Sequence, residues 1–427
     1  MQPNPAIRAA SQRALAAREA ILQEYPLWEE WRDQARAIKA EAVSRLDELL
    51  ASLARQVEKW GGRVLWARDA AEARGHILEV AGSHGVKAVV KSKSMTTEEI
   101  ELNPGLAAAG IRVSETDLGE FIVQLAGQRP AHITAPALHL DRLKIASLFQ
   151  QHLGVACPPE PEALTRLASE CLKPRYWEAD MGITGVNFAG AEGTLVLLEN
   201  EGNLRLSATL PRVHLAVMGL EKVIPRLSDV GVFLRLLPAS ATGQRLTALV
   251  HFIRGLKLGP SGTQSFFLVL LDNGRRRLAA DPDLREALYC LRCGACLNTC
   301  PIFQAGAAYI YDRVYPGAIG ILLAPYLAPR GDISDLCTQC GACQEICPVK
   351  IRLAERIHRL RLDSPRFRRL QAASRLAGLG LGWPWAYRRL EPGWRALRPL
   401  LARSRSLGPW LRSLAPESFH RRQRRRG

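Results

Sequence analysis

Eight of the ten cysteines in this 427-residue chain lie in two short runs, and both runs have the same spacing. Each reads Cys-x2-Cys-x2-Cys-x3-Cys-Pro, which is the spacing that holds a [4Fe–4S] cluster. Three thiolates of one run reach three irons of a cube, and in two-cluster ferredoxins the fourth thiolate comes from the other run. The spacing predicts two such clusters, one bound by Cys290, Cys293, Cys296 and Cys347 and the other by Cys337, Cys340, Cys343 and Cys300.

Zinc and disulfides are the alternatives for these cysteines, and the sequence disfavours both. Structural zinc prefers two separated pairs of ligands, whereas here four thiols crowd into one short segment, twice. Disulfides need an oxidising compartment, and the polar, alanine-rich start of the chain has no apolar signal core. The cysteine usage therefore predicts a cytoplasmic protein. The two remaining cysteines, Cys157 and Cys171, are expected to be small buried hydrophobic residues.

The net charge of +17 is concentrated near the C-terminus. Residues 351–427 contain 20 arginines, no lysine and four acidic residues, so the rest of the chain is almost neutral. This distribution argues against a nucleic-acid-binding protein, because no binding fold accompanies the charge. Tryptophans lie among the arginines, a mixture that suits peripheral contact with an anionic membrane, docking to an acidic partner or simple solvation. No apolar stretch is long enough to span a membrane.

The first part of the chain predicts a helical arm followed by an α/β domain. Residues 1–60 favour helices, with a break at Tyr25-Pro26. Short strands then alternate with helices, which indicates a parallel sheet whose ligands bind at the carboxyl ends of the strands. Asp69 is a plausible N-cap, and Thr96 with Glu99 fits a capping box. The predicted strands are 63–67, 86–91 and 111–115, and the predicted helices between them are 69–82 and 96–110.

The whole chain divides into four predicted segments. The α/β domain extends to residue 278, with more strand than helix after residue 182, and it contains no glycine-rich nucleotide or dinucleotide motif. The two cysteine runs then predict a helical two-cluster ferredoxin, because the 36 residues between them leave room for helix. The segments are a helical arm at 1–60, the α/β domain at 61–278, the ferredoxin domain at 279–360 and an arginine-rich extension at 361–427.

Two loops at the expected carboxyl ends of strands are rich in polar groups. They are Lys91–Met95 and Glu115–Glu120. A Lys/Ser loop before a helix can bind an anion, because free N–H groups and side-chain donors converge there. Helix capping and surface ion pairs would explain the same residues. His132 and His139 follow, as metal ligands or as hydrogen-bonded loop histidines.

Several longer motifs resemble those of the lactate utilisation protein B family, the iron–sulfur subunit of a bacterial three-protein lactate-utilisation complex. The similarity covers about residues 20–420 and departs from the family pattern at 307–311. Its motifs are 91–95 (Lys-Ser-Lys-Ser-Met), 115–120 (Glu-Thr-Asp-Leu-Gly-Glu), 200–203 (Asn-Glu-Gly-Asn), 210–214 (Leu-Pro-Arg-Val-His), 271–275 (Leu-Asp-Asn-Gly-Arg) and the first cysteine run.

This resemblance implies a lactate-utilisation (LUD) domain, similar in fold to ribose-phosphate isomerase and coenzyme A transferases, joined to a helical two-cluster ferredoxin. It implies two partners, a cysteine-rich CCG-domain protein and a smaller LUD-domain protein. The complex would oxidise L-lactate to pyruvate, and this chain would be its electron-transfer subunit rather than a complete L-lactate dehydrogenase. No catalytic residue is assigned. If the substrate site lies in this chain, Lys91, Lys93 or Arg212 would bind the carboxylate.

Two other functions fit the same residues. The chain could serve the oxidation of a different 2-hydroxy acid, such as glycolate, with the same two clusters. Alternatively, it could be a scaffold whose α/β domain binds its smaller relative and whose clusters are structural or redox-sensing. Cluster potentials too low for any lactate couple would favour the scaffold.

Overall fold

The computed structural model describes residues 5–255, 258–259, 262–327 and 331–365, with isolated positions as far as residue 375. Its contacts define two units, Met1–Leu360 and Arg361–Gly427. Most of the second unit, including the tryptophans of the arginine-rich extension, lies outside the described residues. None of the helices in the described ranges is long and apolar enough to cross a membrane.

Three helices form the N-terminal arm, and the predicted break at Tyr25-Pro26 separates the first from the second. The arm buries apolar residues at three- and four-residue spacing, such as Leu46, Leu50 and Leu53, as an amphipathic helix should. The helices are α1 (Pro5–Gln23), α2 (Trp28–Ser44) and α3 (Leu46–Lys59).

The first half of the α/β domain alternates strands with helices, as predicted. Asp69 caps its helix, because its carboxylate accepts hydrogen bonds from the backbone of Ala71 and Glu72. The elements are β1 (Arg63–Ala67), α4 (Ala70–Ser83), β2 (Ala88–Lys91), α5 (Met95–Glu99), α6 (Leu102–Ala108), β3 (Arg112–Glu115), α7 (Leu118–Leu125), α8 (Arg142–Leu153), α9 (Pro161–Glu178) and β4 (Met181–Gly185).

The single helix predicted for residues 96–110 is wrong, because two short helices occupy this segment. Pro104 has no N–H to donate to the carbonyl of Ile100, and that carbonyl instead accepts a hydrogen bond of 2.7 Å from Arg74. Glu101 between the helices takes a left-handed backbone conformation. The first helix begins after Ser94, whose side chain caps it, and not at the predicted capping box of Thr96 and Glu99.

The second half of the α/β domain is richer in strands. Gly182 in β4 allows the following helix to lie against the sheet, since a Cβ at this position would be 1.7 Å from the carbonyl oxygen of Ser207. The elements are β5 (Phe188–Gly190), β6 (Leu195–Glu199), α10 (Asn203–Thr209), β7 (Val213–Gly219), β8 (Val223–Ile224), α11 (Val230–Thr242), β9 (Leu249–Ile253), β10 (Leu258–Gly259), β11 (Gly262–Thr263) and β12 (Ser265–Leu271).

The main sheet has six strands in the order β1-β12-β7-β4-β2-β3, and all its pairings are parallel. Its central strand β7 is buried along its whole length, which is typical of a parallel sheet covered on both faces. A smaller sheet has the order β8-β5-β6-β9. Because the main sheet is parallel, the loops after β2, β3, β4, β7 and β12 all lie at one edge.

A helical module that carries both cysteine runs follows the sheet. It shares one continuous hydrophobic core with the arm and with α11, where Ile7 of the arm and Phe233 of α11 join Leu297 and Leu322. The α/β domain and the helical ferredoxin domain predicted from sequence are therefore both present. The helices are α12 (Arg275–Ala280), α13 (Ala295–Asn298), α14 (Pro301–Gly306), α15 (Gly317–Leu327), α16 (Ala342–Glu345) and α17 (Leu353–Asp363).

Candidate iron–sulfur sites and the adjoining cleft

The two cysteine runs fold in the same way. In each run the residue before the second cysteine takes a left-handed conformation, with φ of 62° at Arg292 and 60° at Gln339. The glycine after the second cysteine does so too, with φ of 78° at Gly294 and 80° at Gly341. A short helix, α13 or α16, begins directly after that glycine. The two runs therefore form tight loops of the same shape.

The structure groups the cysteines across the two runs rather than within them. One cavity is lined by Cys290, Cys293 and Cys296 together with Cys347 of the other run. Burial, followed by the charge of Cys290, raises the pKa of the Cys293 thiol to about 12, and Cys347 contributes to the same shift. Three thiols of one run therefore face the fourth thiol of the other.

The second group shows the reciprocal arrangement. Burial raises the pKa of the Cys343 thiol to about 12, with further contributions from Cys337, Cys300 and Cys340. Protons must leave such thiols when a metal binds. Cys340 is exposed, whereas Cys293 is buried. The second group therefore lies nearer the surface than the first.

Backbone N–H groups donate to the cysteine sulfurs at matching positions. Arg292 donates to Cys290 and Gln339 donates to Cys337, each at 3.4 Å. Such hydrogen bonds stabilise thiolates that bind iron and help to set a cluster's potential. Among the described residues, no three His, Cys, Asp or Glu side chains could hold a single metal ion. A cube instead binds each thiolate through a different iron, and the two cysteine groups fit that requirement.

Arginines of the N-terminal arm fix the loop that contains the last cysteine. The guanidinium of Arg32 donates to the carbonyl oxygen of Cys347 at 2.8 Å and to that of Glu345 at 2.9 Å. Arg18 donates to the carbonyl oxygen of Ile346 at 3.3 Å. The arm thus adds hydrogen bonds to carbonyl groups of this loop, and that of Cys347 also accepts one from the backbone of Lys350 at 3.1 Å. The sequence predicted only that the arm would be a helical layer.

We expect Gly294→Ala to remove most of the iron held by the first group, while Gly341→Ala keeps most of the iron in the second. Both substitutions place alanine at a similar positive φ, which costs about 1–2 kcal/mol. Only at Gly294 would the new Cβ clash, 2.7 Å from the ring of His132. Iron analysis and EPR of the two purified variants measure the difference. Equal iron loss in both variants would contradict the steric explanation.

A polar cleft of about 310 Å³ lies at the carboxyl edge of the sheet, next to the first cysteine run. Its walls come from the loops after β2, β4 and β6, from α11 and from the segment between Cys290 and Cys293. Polar and charged residues in its lining include Ser92, Lys93, Glu201, Lys222 and Arg292.

Of the three cations predicted to bind a substrate carboxylate, the structure places one in this cleft. Lys93 lines it, and burial lowers the pKa of its ammonium group. Lys91 is fully buried and pairs with Glu115 at 2.8 Å, so its charge is neutralised inside the protein. Arg212 precedes β7 at the opposite edge and contacts Asp180 at 3.3 Å. Lys91 and Arg212 therefore do not meet Lys93 in one site.

A buried ionic network joins the sheet to the first cysteine run. Arg275, which follows β12, contacts Glu99 at 2.7 Å and also pairs with Glu221 after β7. Arg292 pairs with Glu221 at 3.2 Å and stacks on Tyr315, and the Tyr315 hydroxyl donates to Glu99 at 2.7 Å. The network thus fixes Arg292, and with it the first cysteine loop, relative to the cleft.

Neither Glu201 nor Arg292 was predicted from sequence as a residue of the cleft. Glu201 stood in a quoted motif but carried no assigned role, and Arg292 looked like an ordinary position between cysteines. Ser92 belongs to the Lys/Ser loop that was predicted as an anion site. Neither predicted histidine joins a metal-ligand group among the described residues. His132 accepts hydrogen bonds from backbone N–H groups, and His139 contacts Tyr309, so both match the interpretation as loop histidines.

Comparison with known proteins divides the chain as the fold does. Residues 50–278 match the LUD domain, and residues 286–351 match the 4Fe-4S dicluster domain. The chain is 42% identical over 362 residues to "Uncharacterized electron transport protein YkgF" of Escherichia coli, covering 83% of this chain and 76% of that protein. It is 40% identical to Lactate utilization protein B of Bacillus subtilis and of Shouchella clausii, in each case covering 78% of this chain and 70% of the relative.

The dicluster match indicates that this part of the chain binds iron–sulfur clusters, and the identities extend through both domains. With a LUD domain followed by a 4Fe-4S dicluster domain, and with relatives of that name at about 40% identity over most of its length, this chain belongs to the lactate utilization protein B family.

Proposed function

We propose that this chain is the iron–sulfur electron-transfer subunit of a complex that oxidises L-lactate to pyruvate. The observation that carries the proposal is the position of the first cysteine group, whose loop forms one wall of the polar cleft. Electron transfer needs redox centres close to the place where electrons enter. The names of the Lactate utilization protein B relatives give the substrate class.

Two [4Fe–4S] clusters are the cofactors that the two cysteine groups would hold. When bound, they supply one-electron transfer, and two of them match the two electrons that oxidation of a 2-hydroxy acid releases. The chain's own residues would bind the two clusters, shield them and fix their orientation. Backbone N–H groups donate to cysteine sulfurs, and Cys293 and Cys343 are buried.

We propose two partners for this subunit, a cysteine-rich CCG-domain protein and a smaller LUD-domain protein. Cys340 is exposed, so the second cysteine group is the side from which a redox partner could take electrons. We place the complex in the cytoplasm, where thiols stay reduced. The arginine-rich extension supplies charge for peripheral contact with an anionic membrane or for docking to an acidic partner.

EPR of the anaerobically purified chain tests this function. Dithionite is expected to reveal two interacting reduced cubes, and L-lactate is expected to reduce them once both partner proteins are present. Glycolate in place of L-lactate identifies the preferred hydroxy acid. Reduction by L-lactate in the isolated chain would make this chain itself the dehydrogenase. Cubes that stay oxidised with lactate, glycolate and both partners would favour the scaffold or redox-sensing function.

A further inference from the structure

The cleft contains buried hydrogen-bond donors that no other described residue uses. They are the hydroxyl of Ser92, the ammonium group of Lys93 and the Nη1 atom of Arg292. Ser92 is only 1% exposed and Arg292 only 8%. Leaving a buried polar group without a partner destabilises the protein, and leaving a buried charged group without one destabilises it more. Three such donors in one cleft indicate a ligand that supplies acceptor oxygens.

Two other buried cations at this edge of the sheet, Lys91 and Arg275, already have carboxylate partners. Lys91 contacts Glu115 at 2.8 Å and Glu98 at 3.2 Å. Arg275 lies between two carboxylates of the ionic network. Arg292 donates to Glu221 through its Nη2 atom and stacks the face of its guanidinium group on the ring of Tyr315, which leaves Nη1. The donors in the cleft are therefore distinct from those that stabilise the fold.

The carboxylates around the cleft also differ in how many hydrogen bonds they already accept from the protein. Glu199 accepts hydrogen bonds from His251 and from two backbone N–H groups, and Asp117 caps α7. Glu201 accepts one, from the backbone of Leu118 at 3.1 Å. Burial, with repulsion from Asp117, raises the pKa of Glu201 to about 7. Its carboxyl group is thus the one best able to accept a hydrogen bond or a proton from a ligand.

Three nearby carboxylates, those of Asp117, Glu120 and Glu201, attract the charge of Lys93. None of them forms an ion pair with Lys93 among the described contacts. A ligand with one carboxylate and one neighbouring hydroxyl matches this combination. The carboxylate satisfies the cationic donors, and the hydroxyl donates to an acidic acceptor.

We propose that the cleft binds a small 2-hydroxy or 2-oxo carboxylate, with its carboxylate on Ser92, Lys93 and Arg292 and its 2-oxygen facing Glu201. The chemical class of the ligand rests on the proposed function, whereas the position of the site rests on the unpartnered donors in the cleft. Arg292 lies between two cysteines of the first group, so the ligand sits against the loop that holds that cluster. Binding is therefore expected to change the EPR signal of this cluster and to leave the other unchanged.

Anaerobic titration calorimetry tests the site without turnover. The chain is reduced with dithionite and desalted, and it is then titrated with L-lactate, pyruvate and propionate. We expect L-lactate and pyruvate to bind, and propionate, which lacks the 2-oxygen, to bind at least about tenfold more weakly. Equal affinity for propionate would overturn the assignment of the 2-oxygen, and no binding of any of the three would overturn the site.

Four variants locate the ligand. Lys93→Met and Ser92→Ala are expected to weaken pyruvate binding, Lys93→Met by about tenfold or more. Glu201→Ala is expected to weaken L-lactate but not propionate. Arg212→Met is the matched control, because it removes a cation at the opposite edge of the sheet. Equal affinities in wild type, Lys93→Met and Arg212→Met would overturn the proposal.

EPR of the same samples separates this inference from the proposed function. Missing cube signals in a chain that still binds pyruvate would contradict the electron-transfer role and leave the site intact. Intact cubes whose spectra do not change at saturating pyruvate would overturn the contact between the ligand and the first cluster loop. A change in both cubes would overturn the claim that the ligand lies beside only one.

Discussion

Replacing Cys347 by alanine is expected to remove the cluster of the first cysteine run, although Cys347 belongs to the second. The reason is the cavity that Cys347 lines together with Cys290, Cys293 and Cys296. Each lost cube removes about four irons per chain. Iron analysis after anaerobic reconstitution, with EPR of the reduced protein, measures the loss.

Double substitutions make this result decisive. If the ligands cross between the runs, Cys290→Ala/Cys347→Ala loses one cluster and keeps about four irons, whereas Cys337→Ala/Cys347→Ala loses both. If each run held its own cluster, the two results would be exchanged. Cys171→Ala serves as the control, because Cys171 lies in another part of the protein core and should leave the iron content unchanged.

Arg275→Met is expected to lower the free energy of unfolding by about 3–5 kcal/mol, because it leaves buried carboxylates without their partner. Arg275 is fully buried between Glu99 and Glu221. Burial alone would raise the pKa of Glu221, but the guanidinium groups of Arg275 and Arg292 outweigh it and hold that pKa below its usual range. Anaerobic urea denaturation of the cluster-loaded protein measures the change.

The neighbouring residue provides the control for Arg275. Arg276 pairs with Asp47 at 2.8 Å, but its side chain is 41% exposed and that of Asp47 is 73% exposed, so Arg276→Met should cost no more than about 1 kcal/mol. Similar losses in both variants would contradict the importance of the buried network. Because the pKa of Glu221 is lowered, its contribution is present at neutral pH and is lost as the pH falls through that lowered value.

The cysteine ligands could be predicted because their chemistry depends on spacing within one short loop. The helix break at Pro104 was also encoded locally and was overlooked, since the proline sits early in the second helix. The roles of Lys91 and Lys93 could not be separated from sequence. Both are cationic and two residues apart, and only the pairing of β2 with β3 brings Glu115 beside Lys91. Arg292 acquires its role from Glu221 and Tyr315, which are distant in sequence.

The contact between Arg32 and Cys347 spans 315 positions of the chain, and this has a consequence for biosynthesis. A ribosome releases the arm long before it makes the cysteine loop that the arm fixes. The contact of Arg32 with this loop must therefore form late, although the arm can already pack against α11 and β1 of the α/β domain.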